Sequence, residues 1–291
     1  MTEHLKAAPV PYANEKFLNS PDGRILRILA EYQEPLARFR REQIQDTVVF
    51  FGSARFHGRK DAAENLAAVE HNHTASSAQF EKDVKRAQAG IDMARYYDEA
   101  RQLAHRLTKW SLEIPARRHR FVVTTGGGPG IMEAANLGAH EAGGKTIGLN
   151  IQLPFEQYPN QYITPSLNFL FHYFFMRKFW FAYLAKALVI FPGGFGTMDE
   201  LFEILTLAQT DKLAKKIIVI IYGSEYWNRV INFQTFVDAG TIAPEDLELF
   251  KIVDTPDAAF EFLRDGLTKY HLGGGPRKQT EVLPEIAKTR P

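Results

Sequence analysis

The chain has 291 residues, 45% of them hydrophobic, with 35 basic and 34 acidic side chains for a net charge of +1. That length suits one large domain or two small ones, and the charge balance gives no electrostatic reason to expect nucleic acid or an anionic membrane as partner. The absence of cysteine excludes disulfides, thiolate metal ligands and a Cys nucleophile.

The N-terminal MTEHLKAAPVPYANEK lacks the apolar core of a secretory signal, so a cytoplasmic location is expected. Residues 1–20 read as an irregular arm. Ser20-Pro21-Asp22-Gly23 then signals a turn before a helix from Arg24 to about Gln45, with Ile25, Ile28, Leu29, Tyr32, Leu36 and Phe39 at helical spacing and a kink at Pro35. Thr47–Phe51 is the first buried strand, and Gly52-Ser53-Ala54-Arg55 follows it where α/β folds place ligand contacts. Residues 57–83 are polar and Ala-rich and read as a mobile or inserted segment. His71 and His73 within it have no acidic partner at helical spacing, so they read as solvated and no metal site is expected. A long amphipathic helix covers 84–110.

Phe121–Thr125 is the next strand and runs into Gly126-Gly127-Gly128-Pro129-Gly130, with a helix from Ile131 to Ala142 ended by Gly143-Gly144. Lys145–Ile151 is a strand, 152–166 a loop, Leu167–Phe171 a short strand, and Tyr173–Lys186 a helix. Phe169–Phe191 is long enough to be weighed as a membrane span, but His172, Arg177, Lys178 and Lys186 interrupt it. Charges near the centre of a span cost about 2.5–3.5 kcal/mol each. The stretch therefore reads as a buried helix and a buried strand, Ala187–Phe191, and the protein as soluble. A helix from Thr197 to about Leu213, a strand Lys216–Tyr222, and helices at 225–240 and 256–270 follow. The Gly/Pro-rich tail from Gly273 reads as disordered.

Continuously apolar strands alternating with helices predict an α/β fold: a Rossmann-like, doubly wound parallel sheet with helices on both faces and an extra N-terminal helix. The expected division is 1–45 for the arm and helix, 46–272 for the nucleotide-binding domain and 273–291 for the tail.

Two strand–glycine loop–helix units stand out, at 125–131 and 191–198. Glycines let the backbone approach a ligand, and a following helix aims its free N–H groups and positive dipole end at the loop. Two such loops on one sheet edge, beside Gly52-Ser53, point to a nucleotide or sugar phosphate. The dinucleotide fingerprint is absent, because Ile131 stands where its third glycine belongs and no acidic residue ends the next strand. No Walker lysine follows either loop. Glu200 has two readings. Thr197-x-x-Glu200 has the spacing of a capping box, which spacing alone favours, and a carboxylate beside an anion loop is also a catalytic candidate. Glu133 sits in a first helical turn, where any carboxylate is favoured. Arg177 and Lys178 interrupt an aromatic run and call for an anionic partner.

PGGFGTMDE and TGGGPGIMEAAN, together with FGSAR and the Met176-Arg177-Lys178 cluster, resemble the LOG family, and more closely its longer bacterial branch, over about Thr47 to Tyr222. The members are cytokinin riboside 5′-monophosphate phosphoribohydrolases and related nucleotide nucleosidases, long mislabelled as lysine decarboxylases. The resemblance implies hydrolysis of the N-glycosidic bond of a nucleoside 5′-monophosphate, AMP or a cytokinin riboside monophosphate, to free base and ribose 5-phosphate. Arg177 and Glu200 fall on the family's catalytic pair. Gly193, Gly194, Gly196 and Thr197 fall on its phosphate loop, and Gly52, Ser53, Gly127, Gly128, Glu133 and Lys178 complete the nucleotide site. No metal or cofactor is implied, and a homodimer or higher homo-oligomer is.

Overall fold

The computed structural model describes residues 7–71, 77–153, 158–213 and 215–272. Its elements, in chain order, begin with α1 (Glu15–Leu18), α2 (Arg24–Arg41), β1 (Thr47–Phe51), α3 (Arg59–His71), α4 (Ser77–Leu112), β2 (Val122–Thr125), α5 (Ile131–Glu141), β3 (Thr146–Ile151) and β4 (Asn168–Phe171). There follow α6 (Phe174–Leu184), β5 (Ala185–Ile190), α7 (Phe195–Gln209), β6 (Ile218–Tyr222), α8 (Ser224–Val230), α9 (Phe233–Asp238), β7 (Phe250–Val253) and α10 (Pro256–Leu267).

All seven strands form one parallel sheet in the order β4-β3-β2-β1-β5-β6-β7. From β1 the chain winds outward through β2, β3 and β4, then returns to β1's other side to build β5, β6 and β7. The winding reverses between β1 and β5, and a crevice opens outside the carboxyl ends of strands at such a reversal. The sheet is covered on both faces, which is why its strands read as continuous apolar runs. Val48, Phe50, Ala187 and Val189 pack with α4, α5 and α10 through Leu103, Leu107, Ile131 and Leu263. The alternate residues Val49, Phe51, Leu188 and Ile190 pack against Phe39 of α2, Trp180 and Phe181 of α6, and Leu201 of α7.

Several expectations need correction. The segment 57–83, expected to be mobile or inserted, is largely helical where it is described: 59–71 form α3 and 77 onward the start of the 36-residue α4, and the two pack together. The His71 imidazole bonds to the Ala67 carbonyl at 2.7 Å, as a helix-end side chain does, and His73 lies outside the described residues. The arm is short helical turns, Pro11–Ala13, Glu15–Leu18 and Pro21–Gly23. Lys186 belongs to β5 rather than to the preceding helix, and β7 is an edge strand that periodicity did not predict. The tail beyond residue 272 lies outside the described residues. Among those described, no helix is long and apolar enough to cross a membrane.

α2 continues through Pro35, which is buried. Proline has no N–H, so the Glu31 carbonyl one turn earlier loses its helical donor. The Trp180 indole N–H of α6 fills that vacancy at 2.8 Å. The Glu31 carboxylate in turn accepts the backbone N–H groups of His172 at 2.7 Å and Tyr173 at 3.2 Å, where the chain turns into α6. The N-terminal helix thereby fixes the entry and the pitch of the helix that carries Arg177.

Candidate active site

Three loops meet at the carboxyl edge around the reversal of winding. Phe191 N–H donates to the Phe51 carbonyl at 2.8 Å, and Ser53 N–H donates to the Pro192 carbonyl at 2.9 Å, tying the loop after β1 to the loop after β5. The Ser53 carbonyl accepts from Ile131 N–H at 3.1 Å, which ties the same loop to the start of α5. Gly52-Ser53 is thus the bridge between the two glycine loops. The Ser53 hydroxyl accepts from Arg55 N–H at 3.1 Å and stays within its own turn.

The loop after β5 starts α7 two residues earlier than the spacing predicted. Gly194 is the N-cap, Phe195 the first helical residue, and no side chain caps the end. The capping box between Thr197 and Glu200 is therefore not formed, because Thr197 lies inside the first turn and its N–H already bonds to the Gly194 carbonyl at 3.0 Å. Among the described residues, no backbone carbonyl takes the N–H groups of Gly194, Phe195 or Gly196. These amides sit at the positive end of a helix dipole, the arrangement that binds phosphate. Gly193 permits the turn by close packing: a Cβ there would lie 2.1 Å from the Thr197 hydroxyl oxygen. The Tyr226 hydroxyl of α8 donates to the Gly193 carbonyl at 2.8 Å and pins the loop from behind.

Glu200 lies in the second turn of α7, 6% exposed, and no described residue donates a hydrogen bond to its carboxylate. Burial pushes its pKa up to about 7, against the opposing pull of Lys178 and Arg177. Arg177 approaches from α6. Its Nε donates to the Leu149 carbonyl at the end of β3 at 2.7 Å, and its guanidinium carbon stands 5.1 Å from the Phe181 ring centre. Burial lowers its pKa and Glu200 raises it, so the two groups are electrostatically coupled. Gly126 makes room for this arginine: a Cβ there would lie 2.6 Å from its Nη2.

Lys178 is directed elsewhere. Its ammonium pairs with Asp199 at 2.7 Å and Glu203 at 3.1 Å, both on α7. Burial pulls its pKa down, but these bonds outweigh it and hold the group above the usual lysine value. Lys178 locks α6 to α7 and so sets the relation of Arg177 to Glu200. Glu133, in the first turn of α5, accepts from the Tyr97 hydroxyl of α4 at 3.1 Å.

Gly127 and Gly128 are held by an asparagine network that the motifs did not identify. The Thr125 hydroxyl accepts from Gly127 N–H at 2.9 Å and donates to Asn136 at 2.7 Å. Asn160 Nδ2 reaches the carbonyls of Gly127 and Gly128 and the Asn136 side chain at 3.2, 3.1 and 2.9 Å. Asn150, at the end of β3, bonds to Asn168 and the Phe169 carbonyl at 2.9 and 3.0 Å. The one available signal was a Thr immediately before a glycine run.

A cavity of about 610 Å³ opens beside Ser53 and Arg55, between α3 and α4, and Glu200 does not line it.

A sequence-family model described as "Possible lysine decarboxylase" matches residues 132–263. The chain is 26% identical over 165 residues to the cytokinin riboside 5′-monophosphate phosphoribohydrolase LOG2 of Arabidopsis thaliana, covering 56% of this chain and 71% of that protein. It is 27% identical over 170 residues to LOG5 of the same plant, covering 56% and 67%. Among solved structures, the molybdenum cofactor binding protein of Rippkaea orientalis superposes with a TM-score of 0.42 at 17% identity, over 75% of this chain and 94% of that one. The family model spans α5 to α10 and the curated relatives agree on a single family, so the chain is similar to the LOG family over this part.

Proposed function

We propose that this protein hydrolyses the N-glycosidic bond of a nucleoside 5′-monophosphate, with AMP or a cytokinin riboside monophosphate as substrate. The observation that carries the reading is Glu200: a buried carboxyl without a hydrogen-bond donor among the described residues, tuned to about 7, one turn inside a helix whose first amides are free. With the capping role removed, no described residue makes a structural hydrogen bond to this carboxylate. The relatives' name adds the substrate class, and the reversal of winding between β1 and β5 supplies a crevice in which a nucleotide could sit.

In the proposed mechanism the 5′-phosphate binds the amides of Gly194, Phe195 and Gly196, and this remote contact positions the ribose. The C1′–N bond breaks with its electron pair leaving on the base, and positive charge develops at C1′ as in other glycosyl transfers. Ionised Glu200 faces that charge and takes a proton from the water that attacks C1′; the departing base nitrogen is protonated from solvent. Arg177 keeps part of Glu200 ionised near neutral pH and offers a planar donor fork to phosphate or ribose hydroxyls.

Incubation with AMP, other common nucleoside monophosphates and isopentenyladenosine monophosphate, followed by chromatography, should release free base from at least one. Tight binding without any base release would overturn the enzymatic reading in favour of a nucleotide sensor on the same fold. The exposed aromatics of α6, Phe174, Phe175 and Tyr183, support a homo-oligomer, which sedimentation would test.

A further inference from the structure

At the opposite, amino-terminal edge of the sheet lies a second cavity of about 220 Å³. Its rim is the loop Arg117-Arg118-His119-Arg120, and Lys145 faces it from the start of β3, with the Thr108 and Ser111 hydroxyls on its α4 side. Among the described residues, no carboxylate lines it. Two of its cations are spoken for: Arg120 pairs with Asp46 at 2.8 Å, and Lys145 with Glu42 at 2.8 Å. Arg117 and Arg118 are exposed, and among the described residues neither has a carboxylate partner or caps a helix carbonyl. Two positive charges are therefore in excess around a concave space.

The loop is held in place by unusual backbone. Phe121, fully buried, has a φ of 52°, and Gln43 beside it a φ of 58°. A bulky residue in the left-handed region is uncommon and strained, and such strain persists only where the surrounding structure holds it. Here it is offset by specific bonds. Phe121 N–H donates to Asp46 at 2.7 Å, the ring stacks on Trp110 at 5.5 Å, and His119 donates its N–H to the Gln43 carbonyl and accepts from Gln45 N–H. The strained turn swings the arginine loop out of line with β2 and around the cavity.

We propose that this basin binds a small phosphate-bearing anion, orthophosphate or a sugar monophosphate. Arginine forks match phosphate oxygens in pairs, and converging cations in a concave wall concentrate anions. The volume lies below the roughly 300–1,000 Å³ of sites for drug-sized ligands, so a whole nucleotide is too large. A net charge of +1 gives no bulk attraction for nucleic acid. The basin is separate from the candidate active site: β2 begins at it with Val122 and ends at Thr125, beside the glycine loop.

Calorimetric titration of the full chain with sodium phosphate, and separately with ribose 5-phosphate, at constant ionic strength tests this. The double variant Arg117→Gln/Arg118→Gln should lose one binding event, weakened about tenfold or more. If the active-site cleft also takes phosphate, two events become one; if it does not, one becomes none. Arg229→Gln/Lys251→Gln, which removes the same charge from α8 and β7, should leave binding intact. Tighter binding of ribose 5-phosphate at the arginine-dependent event identifies a sugar phosphate as the ligand, and equal binding identifies orthophosphate. Unchanged phosphate binding in the arginine variant, equal weakening by both charge removals, or no binding by the parent overturns the assignment. None of these outcomes depends on base release.

Discussion

Replacing Glu200 with Gln should make the protein more stable and inactive, and the stability gain should depend on pH. The carboxyl is buried, no described residue donates to it, and its pKa stands raised from 4.5 to about 7 chiefly by that burial. A tenfold change in proton affinity is worth about 1.4 kcal/mol, so the ionised carboxylate subtracts on the order of 3 kcal/mol from native stability. A carboxyl with a raised folded-state pKa holds its proton more tightly when folded. The cost is therefore absent below the unfolded value of 4.5, grows as pH rises, and is complete above about pH 8. Gln is close in shape and carries no charge, and burying it costs less than burying an anion. Urea unfolding of both proteins from about pH 5 to about pH 8 should show the curves close together at the acid end and separating by up to roughly 3 kcal/mol at the alkaline end. All other titrating groups are common to both, so the difference isolates Glu200. In parallel, wild-type base release should rise with pH through about 7 as the carboxylate forms, and the variant should show almost none. A stability difference that is flat with pH would refute the buried, unpaired carboxyl. Retained hydrolysis would refute its catalytic role.

Arg177→Lys keeps a charge but loses the Nε bond to Leu149 and the planar fork, so turnover should fall about a hundredfold with little change in melting temperature. Gly126→Ala places a methyl 2.6 Å from the Arg177 Nη2 and 2.8 Å from the Met132 sulfur; these flexible ends should yield, giving a folded protein with reduced kcat, and unchanged kinetics would count against the arrangement of Arg177. Trp180→Phe leaves the Glu31 carbonyl of α2 without a donor and should cost about 1–3 kcal/mol in urea unfolding, whereas the same change combined with Pro35→Ala, which restores a helical N–H, should cost less.

Much of this was legible in the chain. Period and composition located β1, β2, β3, β5 and β6, because strands buried on both faces are apolar without interruption, and the glycine runs marked the loops that close on the reversal of winding. The position of Glu200 relative to its helix was not, since Thr-x-x-Glu spacing is shared by a cap and by a site, and only the observed start of α7 at Phe195 rules out the cap. The α3–α4 hairpin was missed because Ala-rich helices packing on one another bury few large side chains, leaving a weak helical period in 57–83. β7 alternates in exposure as an edge strand, and Lys251 in its middle masked it. The Asn136–Asn160 bond and the Trp180–Glu31 bond join positions 24 and 149 residues apart, and no local spacing encodes such a pairing.

The seam between α2 and α6 bears on any attempt to shorten the chain. Removing the residues before β1 would strip the acceptors from three donors at once, the backbone N–H groups of His172 and Tyr173 and the indole of Trp180. Trp180 is 2% exposed and ringed by Tyr32, Phe39, Phe179 and Tyr183, so the hole left by α2 would be greasy at its walls and polar at its floor. Water entering to satisfy the donors would wet the aromatics, and collapse to cover the aromatics would bury the donors. A minimal catalytic fragment cut at the first strand therefore faces two incompatible demands beneath the helix that presents Arg177. The N-terminal segment is best treated as part of the site's foundation in any domain boundary chosen for expression.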